Sequence, residues 1–444
     1  MSSKGWIPNY ALDLTVTERG TLSVAGCDLT QLAKEYGTPL YVYDEGALRR
    51  RCQEYYRAFA DYSPGALVLY ASKAFLPLAM AELVKEEGLG LDVMSGGELY
   101  TALQAGMPPE RIYFNGNNKS ETELSEAVEA GIGGVIVDNF HELAVLDEIA
   151  GRLGKVQRVL LRINPGVEAH THEYIKTGQL DSKFGFPLLE GLAVEATRIA
   201  LDSENLRLLG FHCHIGSQIF ALDSFEVAVE TVLDFAARVK AKLGYTWKEL
   251  NLGGGLGIRY TQDDEPKPVA ELVKRITEAL VVGCQRYGLP LPKLLVEPGR
   301  SIAGEAGLTL YTIGSVKTIP GIRTYVAVDG GMPDNPRVAL YQARYNAVIA
   351  NKATVPPDKV VSVAGKCCES GDMLIWDLPL PSPKSGDILA VFSTGAYTYS
   401  MASNYNRLLR PAVVFCKDGE SQLVVKRQTY RDLLRGELSL NRRD

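Results

Sequence analysis

Short apolar runs alternate with amphipathic stretches through the first two thirds of the chain. The runs end near Ser72, Met94, Asn115, Asp138, Asn164, His214, Leu252 and Val296, eight in all. Most are followed by a helical pattern, such as LPLAMAELVKEEG, SETELSEAVEAG, FHELAVLDEIAGRLG and SFEVAVETVLDFAARVKAKLG, in which apolar residues recur three and four apart. Eight strands alternating with helices predict an α/β fold, a (β/α)8 barrel of the TIM type, with a doubly wound open sheet as the alternative. Ahead of it, residues 11–25 (ALDLTVTERGTLSVA) alternate around Glu18-Arg19-Gly20 and predict a hairpin or a pair of short strands. DLTQLAKEYG predicts a short helix capped by Asp28 and stopped by Gly37. PLYVYD (39–44) predicts a strand, and a helix follows from about Glu45 to Ala60. After Gly304 the texture changes to short β runs with turn residues between them, including TLYTIGSVKTI, TYVAVDGG, KVVSVAG and RPAVVFC. They predict a second, all-β domain, a barrel or a sandwich. The N-terminal strands lack partners in the barrel and are expected to join it. The expected division is therefore 46–304 for the barrel and 1–45 with 305–444 for the β domain.

Bulk properties narrow the function. With 444 residues the chain is long enough for two sizeable cores. A net charge of −6 gives no electrostatic case for nucleic acid or an anionic membrane. No apolar run reaches transmembrane length, and the N-terminal MSSKGWIPNYALDL lacks the apolar core of a signal peptide. Seven scattered cysteines, two of them the adjacent Cys367 and Cys368, do not make a disulfide framework. A reducing, cytoplasmic setting is the expectation.

Chemistry in such barrels sits at the C-terminal ends of the strands. Those ends carry Lys73, Asp92, Asn115, His214, Gly253 to Gly255 and Glu297. A partly desolvated lysine loses proton affinity and becomes an amine nucleophile able to form a Schiff base with an aldehyde; a strand-end lysine pointing at solvent is the plainer reading of Lys73. The long connection PGVEAHTHEYIKTGQLDSKFGF is of a length usually kept for function. It holds His170 and His172, and His212 and His214 form a second HxH pair. Two such pairs invite a metal site. The carboxylate partners are not at convincing spacing, however, and His214 runs into Ile215-Gly216-Ser217-Gln218, a better anion loop, so no metal is expected. NLGGGLGI (251–258) can turn backbone N–H groups toward a phosphate, and EPGRS (297–301) adds a carboxylate, a tight turn and an arginine; a local Glu297–Arg300 salt bridge is the plainer reading of the last. A lysine on one side and a phosphate cradle of Ser217, Gly254 and Gly255 on the other suggest pyridoxal 5′-phosphate. Glu297 would keep its ring nitrogen protonated, and His214 could stack on the ring.

The motifs YASKA, LDVMSGGEL, RINPGVEAHTHEYIKTG, SKFGF, HCHIGSQ, NLGGGLGI, EPGR, CESGD and GAYTYSMASNYN, in this order along nearly the whole chain, closely resemble the diaminopimelate decarboxylases. These are fold-type III pyridoxal-phosphate enzymes of lysine biosynthesis, alanine-racemase-like in fold. The resemblance implies that Lys73 holds the cofactor, His214 stacks on it and Glu297 pairs with its nitrogen. By the same resemblance Ser217, Gly255, Gly299 and Arg300 contact the phosphate with Tyr397 nearby, while Arg300, Arg337 and Tyr341 grip the substrate carboxylate that is retained. Cys368 and Glu369 would act at the substrate, reaching it from the partner subunit of a homodimer. Asp92 and Gly254 complete the expected cofactor set. The implied reaction converts meso-2,6-diaminopimelate to L-lysine and carbon dioxide. Alternatives are a related decarboxylase of a basic amino acid or carboxynorspermidine, a cofactor-binding regulator without activity, and a metal-dependent barrel hydrolase. The chain departs from the family pattern at Phe75, Val338, Lys366 and Cys367.

Overall fold

The computed structural model describes residues 10–166, 182–188 and 191–440. The chain divides into two compact units. One comprises Arg49–Ile258 with Glu265–Ile302, and the other Met1–Leu48, Arg259–Asp264 and Ala303–Asp444.

The first unit is a closed barrel of eight parallel strands: Ala66–Ala71, Gly90–Val93, Ile112–Phe114, Gly134–Val137, Gln157–Asn164, Leu206–His212, Glu249–Asn251 and Lys293–Val296. Each pairs with the next, and the eighth pairs with the first, Leu295 opposite Leu67. The open-sheet alternative is thereby excluded. Connecting helices start and stop where the sequence marks them. Ser120 and Glu123 form a reciprocal capping box, Asn139 accepts the Glu142 N–H, and Gly131 ends its helix in the left-handed region at φ 70°. Each such cap contributes about 1 kcal/mol.

The barrel interior begins with an apolar layer of Leu69, Tyr113, Ile136, Leu160, Leu209 and Leu295. Side chains two apart on a strand share a face. The next inward positions are therefore Asn115, Asp138, Arg162 and Glu297, so a polar layer stands above the apolar one. Strand six breaks the parity. Its register shifts between Leu208 and Gly210, and a Cβ on Gly210 would lie 1.8 Å from the Glu249 carbonyl oxygen. After this bulge Phe211 packs outward on Phe235 at 4.9 Å, and His212 turns inward. Re-aiming a side chain is what a bulge does.

The second unit is a mixed sheet. The 13-residue strand Gly307–Ile319 is its spine. It pairs antiparallel with Leu40–Asp44, Arg323–Val328 and Ile388–Val391. Two pairings are parallel: Leu40–Asp44 with Ala412–Lys417, and Arg323–Val328 with Lys359–Ala364. The helix Leu29–Tyr36 forms as expected, with Asp28 accepting the Thr30 and Gln31 N–H groups and Gly37 at φ 73°. The N-terminal hairpin forms as expected, Leu14–Val16 antiparallel to Leu22–Val24, and belongs to this unit. Leu14–Val16, Leu22–Val24 and Cys27–Asp28 make a small sheet of their own, and only Leu40–Asp44 enters the large one. The hairpin is held by apolar packing, Leu22 and Val24 lying in one cluster with Leu310 and Phe392. The helix after Leu40–Asp44 runs Glu45–Ala58, two residues shorter than expected.

Candidate active site

Lys73 lies in the single 3-10 turn Ser72–Ala74 that follows the first barrel strand, and its side chain is exposed while its neighbours are buried. Its charge acts on Asp92, Glu297, His212 and His214. Asp92, at the second strand, is completely buried, and neither carboxylate oxygen has a hydrogen-bond partner among the described residues. Burial, and then the neighbouring Glu297, push its pKa well above the usual range, against the pull of Lys73. A buried acid with both oxygens unpaired is costly unless something else meets it.

Glu297, just past the eighth strand, accepts from Asn251 Nδ2 at 2.7 Å and lies 3.2 Å from His212 Nε2. Burial pushes its pKa up, with Lys73 the largest opposing influence. The Asn251 amide is oriented by Gly253, whose N–H it accepts at 2.8 Å. Arg162, from strand five, donates to Asn115 Oδ1 at 3.1 Å, lies 3.9 Å from Asp138 and stacks 4.2 Å from the Phe184 ring. Behind it, Lys119 and Glu142 form a buried pair at 2.6 Å.

Beyond strand six, His214 is half-buried, and its Nδ1 accepts the Gly254 N–H at 3.3 Å. Burial first, then Lys73, push its pKa well down, so the imidazole is neutral. Two of the three glycine N–H groups expected to face a phosphate are therefore engaged inside the protein, Gly253 by Asn251 and Gly254 by His214. The glycines also serve close approach. A Cβ at Gly254 would meet the Glu297 carbonyl oxygen at 2.2 Å, and one at Gly255 the Gly216 carbonyl oxygen at 2.5 Å. Gly299 is equally tight, 2.9 Å from the Ala71 Cβ. Arg300 is buried and donates from Nε and Nη2 to Ser217 Oγ at 3.2 and 3.0 Å. The Arg300 side chain thus meets Ser217, where a local bond to Glu297 is the plainer expectation from sequence.

These residues suit pyridoxal phosphate: an exposed amine, a buried carboxylate across the barrel, an unpaired buried acid, and a hydroxyl with a guanidinium at the glycine turns. Sequence reasoning misses Arg162 and Asn251. Each is a polar residue inside an otherwise apolar strand run (RVLLRIN, ELN), which is the available signal. His170 and His172 lie outside the described residues.

The remaining candidates lie in the sheet unit. Arg337 opens the five-residue helix Arg337–Tyr341 and is buried. It donates to Tyr345 Oη at 2.6 Å, with its guanidinium 4.8 Å from the Tyr260 ring. Tyr341 is half-buried, and Tyr397 is half-buried at φ 60°. Cys368 and Glu369 are exposed on the loop between Lys359–Ala364 and Met373–Leu380, the Cys368 N–H donating to Asn406 Oδ1 at 2.9 Å. The adjacent Cys367 differs. Burial and Asp372 push its thiol up to about 12, which keeps it from acting as a thiolate.

Comparison with known proteins gives a consistent result. The family model for the pyridoxal-dependent decarboxylase, pyridoxal binding domain, matches residues 45–304. The chain is 56% identical over 421 residues to the diaminopimelate decarboxylase of Bacillus subtilis, covering 95% of this chain and 96% of that one. It is 48% identical to that of Staphylococcus aureus, over 94% of this chain and 97% of the other. Among solved structures, the diaminopimelate decarboxylase of M. jannaschii in complex with L-lysine superposes with a TM-score of 0.91 at 36% identity, covering 97% and 99% of the two chains.

Proposed function

The chain belongs to the diaminopimelate decarboxylases, and from that premise we propose that it removes one carboxylate of meso-2,6-diaminopimelate as carbon dioxide and releases L-lysine, with pyridoxal 5′-phosphate as cofactor. The observation that carries the reading is the pairing, within one barrel, of the exposed Lys73 amine with the buried, bonded Glu297 carboxylate. When bound, the cofactor supplies an aldehyde for that amine and an electron sink for the negative charge left as carbon dioxide departs. Lys73 holds it and shuttles a proton at Nζ. Glu297 presents an acceptor to the ring nitrogen, and a charged acceptor there keeps that nitrogen protonated. His214, neutral and fixed by Gly254, offers a flat face for the ring. Ser217, Gly255, Gly299 and Arg300 receive the phosphate, with Asp92, Gly254 and Tyr397 close by. Asp92, unpaired, gains a partner when a cationic group arrives.

Arg300, Arg337 and Tyr341 bind the carboxylate that the product keeps. An arginine built for a carboxylate rejects substrates that lack one, because its charge is then left buried and unpaired. Cys368 supplies the proton to the carbon from Sγ, with Glu369 beside the substrate. Both act on the cofactor held by the other chain of a homodimer, so each dimer has two shared sites. The assignment of residues 46–304 to cofactor binding and of 1–45 with 305–444 to substrate and dimer contacts belongs to the same proposal. So does a cytoplasmic location; among the described residues no helix is long and apolar enough to cross a membrane.

The test is a spectrum and a substrate panel. The purified protein should show a cofactor absorbance band that borohydride fixes irreversibly to Lys73, and it should release carbon dioxide from meso-diaminopimelate but not from lysine or ornithine. Equal turnover of lysine and diaminopimelate would overturn the substrate assignment. Absence of any borohydride-fixed band would overturn the chemistry.

A further inference from the structure

His212 has no part in the reaction proposed above, yet like Asp92 it is fully enclosed in the polar layer, with no exposed surface. Three neighbours define what its ring can do. Its Nε2 lies 3.2 and 3.3 Å from the two Glu297 oxygens. The same Nε2 lies 3.3 Å from Asn115 Nδ2. Its Nδ1 is buried with no partner among the described residues.

The orientation of Asn115 is not free. Its Oδ1 accepts from two groups that can only donate, the Gly116 N–H at 2.9 Å and Arg162 Nη1 at 3.1 Å. Its Nδ2 therefore faces His212 as a donor. Asn251 is fixed in the same way by Gly253, so its Nδ2 is a donor to Glu297. Nε2 then stands between a donor and a carboxylate, and either tautomer loses a contact. With the proton on Nδ1, a buried N–H is orphaned and the bare Nε2 lone pair faces a carboxylate. With the proton on Nε2, the ring makes a charge-assisted bond to Glu297, Nδ1 is left as a bare acceptor, and the Asn115 Nδ2 hydrogen facing the ring loses its acceptor there. Each tautomer thus strips one N–H of a partner, and what separates them is a charge-assisted bond to Glu297 against a bare lone pair held 3.2 Å from that carboxylate.

We propose that His212 is a positioning residue. As the neutral ring with its proton on Nε2, it donates to Glu297 and, with Asn251, holds that carboxylate charged and in one plane. The bulge at Leu208–Gly210 exists in this reading to turn His212 inward. Neutrality is supported by the charges around it. Burial, then Arg162 from strand five, Lys73 after strand one and Lys119 after strand three, disfavour an imidazolium. The acids Glu297 and Asp92 are the counterweights on the same polar layer. The consequence for catalysis rests on Glu297 being the partner of the cofactor nitrogen; the tautomer itself does not.

The experiment is nitrogen-15 NMR of histidine-labelled protein, loaded with cofactor and again after its removal, between about pH 6 and 8. The His212 signals, identified by their loss in His212→Gln or, should that variant not fold, by keeping the buried histidine that survives in His214→Gln, should show a protonated Nε2 and a bare Nδ1 that do not titrate. A proton on Nδ1, or a cationic ring, overturns the proposal. In a second arm, His212→Phe keeps a ring but loses the donor. The acid limb of its kcat/KM profile should move up by about one to two pH units, a tenfold to hundredfold weakening of Glu297 as an acid, and His212→Gln should recover much of the shift. An unshifted limb in folded His212→Phe overturns it as well. Should the cofactor reading itself be wrong, borohydride will fix nothing at Lys73 while the imidazole signals stand unchanged, so the two failures are distinguishable.

Discussion

The barrel unit and the sheet unit hold their candidate residues in opposite ways. In the barrel, Asp92, Asn115, Arg162, His212, Asn251 and Glu297 are all buried; Arg162 is bonded to Asn115, and His212 and Asn251 to Glu297. In the sheet unit, Arg337 is clamped between tyrosines, while Cys368 and Glu369 stand exposed on a loop. A buried network fixes protonation states before any ligand arrives, since desolvation sets them. An exposed thiol and carboxylate have water around them and acquire a defined environment only when covered. The barrel is thus preorganised, and the sheet unit's Cys368 loop depends on what it meets.

The sharpest test of that contrast uses both units at once. Lys73→Ala would remove the proposed anchor of the cofactor and the proposed proton-transfer group, with an expected loss on the order of 10³-fold or more in turnover. Cys368→Ala, in the other unit, should be nearly as damaging if its thiol supplies the final proton. When equal amounts of the two variants exchange subunits, about half the dimers are mixed and each mixed dimer regains one intact site. Activity should recover to roughly a quarter of wild type. No recovery, with exchange shown independently, would mean that Cys368 serves its own chain.

Glu297→Gln comes next. The amide keeps the Asn251 contact but carries no charge to favour a protonated ring nitrogen. Since one pKa unit is about 1.4 kcal/mol, turnover should fall at least tenfold while cofactor binding persists. An unchanged turnover number would remove the barrel's electrostatic role. Arg337→Ala should depress turnover of diaminopimelate by about 10²-fold, chiefly through KM. Arg337→Lys should not rescue it, because a lysine cannot match the planar group that lies against Tyr260. A pure loss of thermal stability with normal KM would instead make Arg337 a structural residue of the sheet.

What the sequence disclosed follows the same contrast. The eight barrel strands were legible because each is buried on both faces and reads as an apolar run. Lys73, Asp92 and Glu297 were legible because a polar residue ending such a run falls at the strand end where barrel chemistry collects. The role of His212 was not. Its inward aim depends on a bulge that the apolar spelling LRLLGFH conceals, with Gly210 the single hint. The glycine triplet misled in part, because its N–H groups are used by Asn251 and His214, partners set by the fold. In the sheet unit, the residues of the N-terminal hairpin predicted strands correctly. Their pairing was read as well; the third strand of their small sheet, Cys27–Asp28, was not, since two residues carry no alternation to read. Cys367 and Cys368 are told apart in the sequence only by the CESGD resemblance; the fold adds that burial and Asp372 push the Cys367 thiol up while Cys368 is exposed.

The smallest effect concerns stability, and it treats the two units alike. Each holds one acid near neutrality. Glu98 in the barrel unit accepts the Met94 N–H at 2.7 Å, and burial pushes it up to about 7. Asp334 in the sheet unit accepts the Gly331 N–H at 2.9 Å, and burial pushes it up to about 7 as well. Both folded-state values lie above the unfolded ones, so the folded chain binds more protons than the unfolded chain between about pH 4 and 7. Stability must then fall as pH rises through that window, and the full penalty is present above it. From about pH 5 to 8 each acid should cost roughly 1–3 kcal/mol. Glu98→Gln and Asp334→Asn keep an oxygen for the backbone N–H and carry no charge. Each should leave stability nearly unchanged at about pH 5 and raise it at about pH 8, as read from thermal midpoints of the cofactor-loaded protein. If Glu98→Gln alone flattens the pH dependence, the buried charge that matters lies in the barrel, and the contrast between the units extends to stability. If both substitutions flatten it by similar amounts, the sheet unit is as preorganised in its core as the barrel, and only its Cys368 loop stands apart.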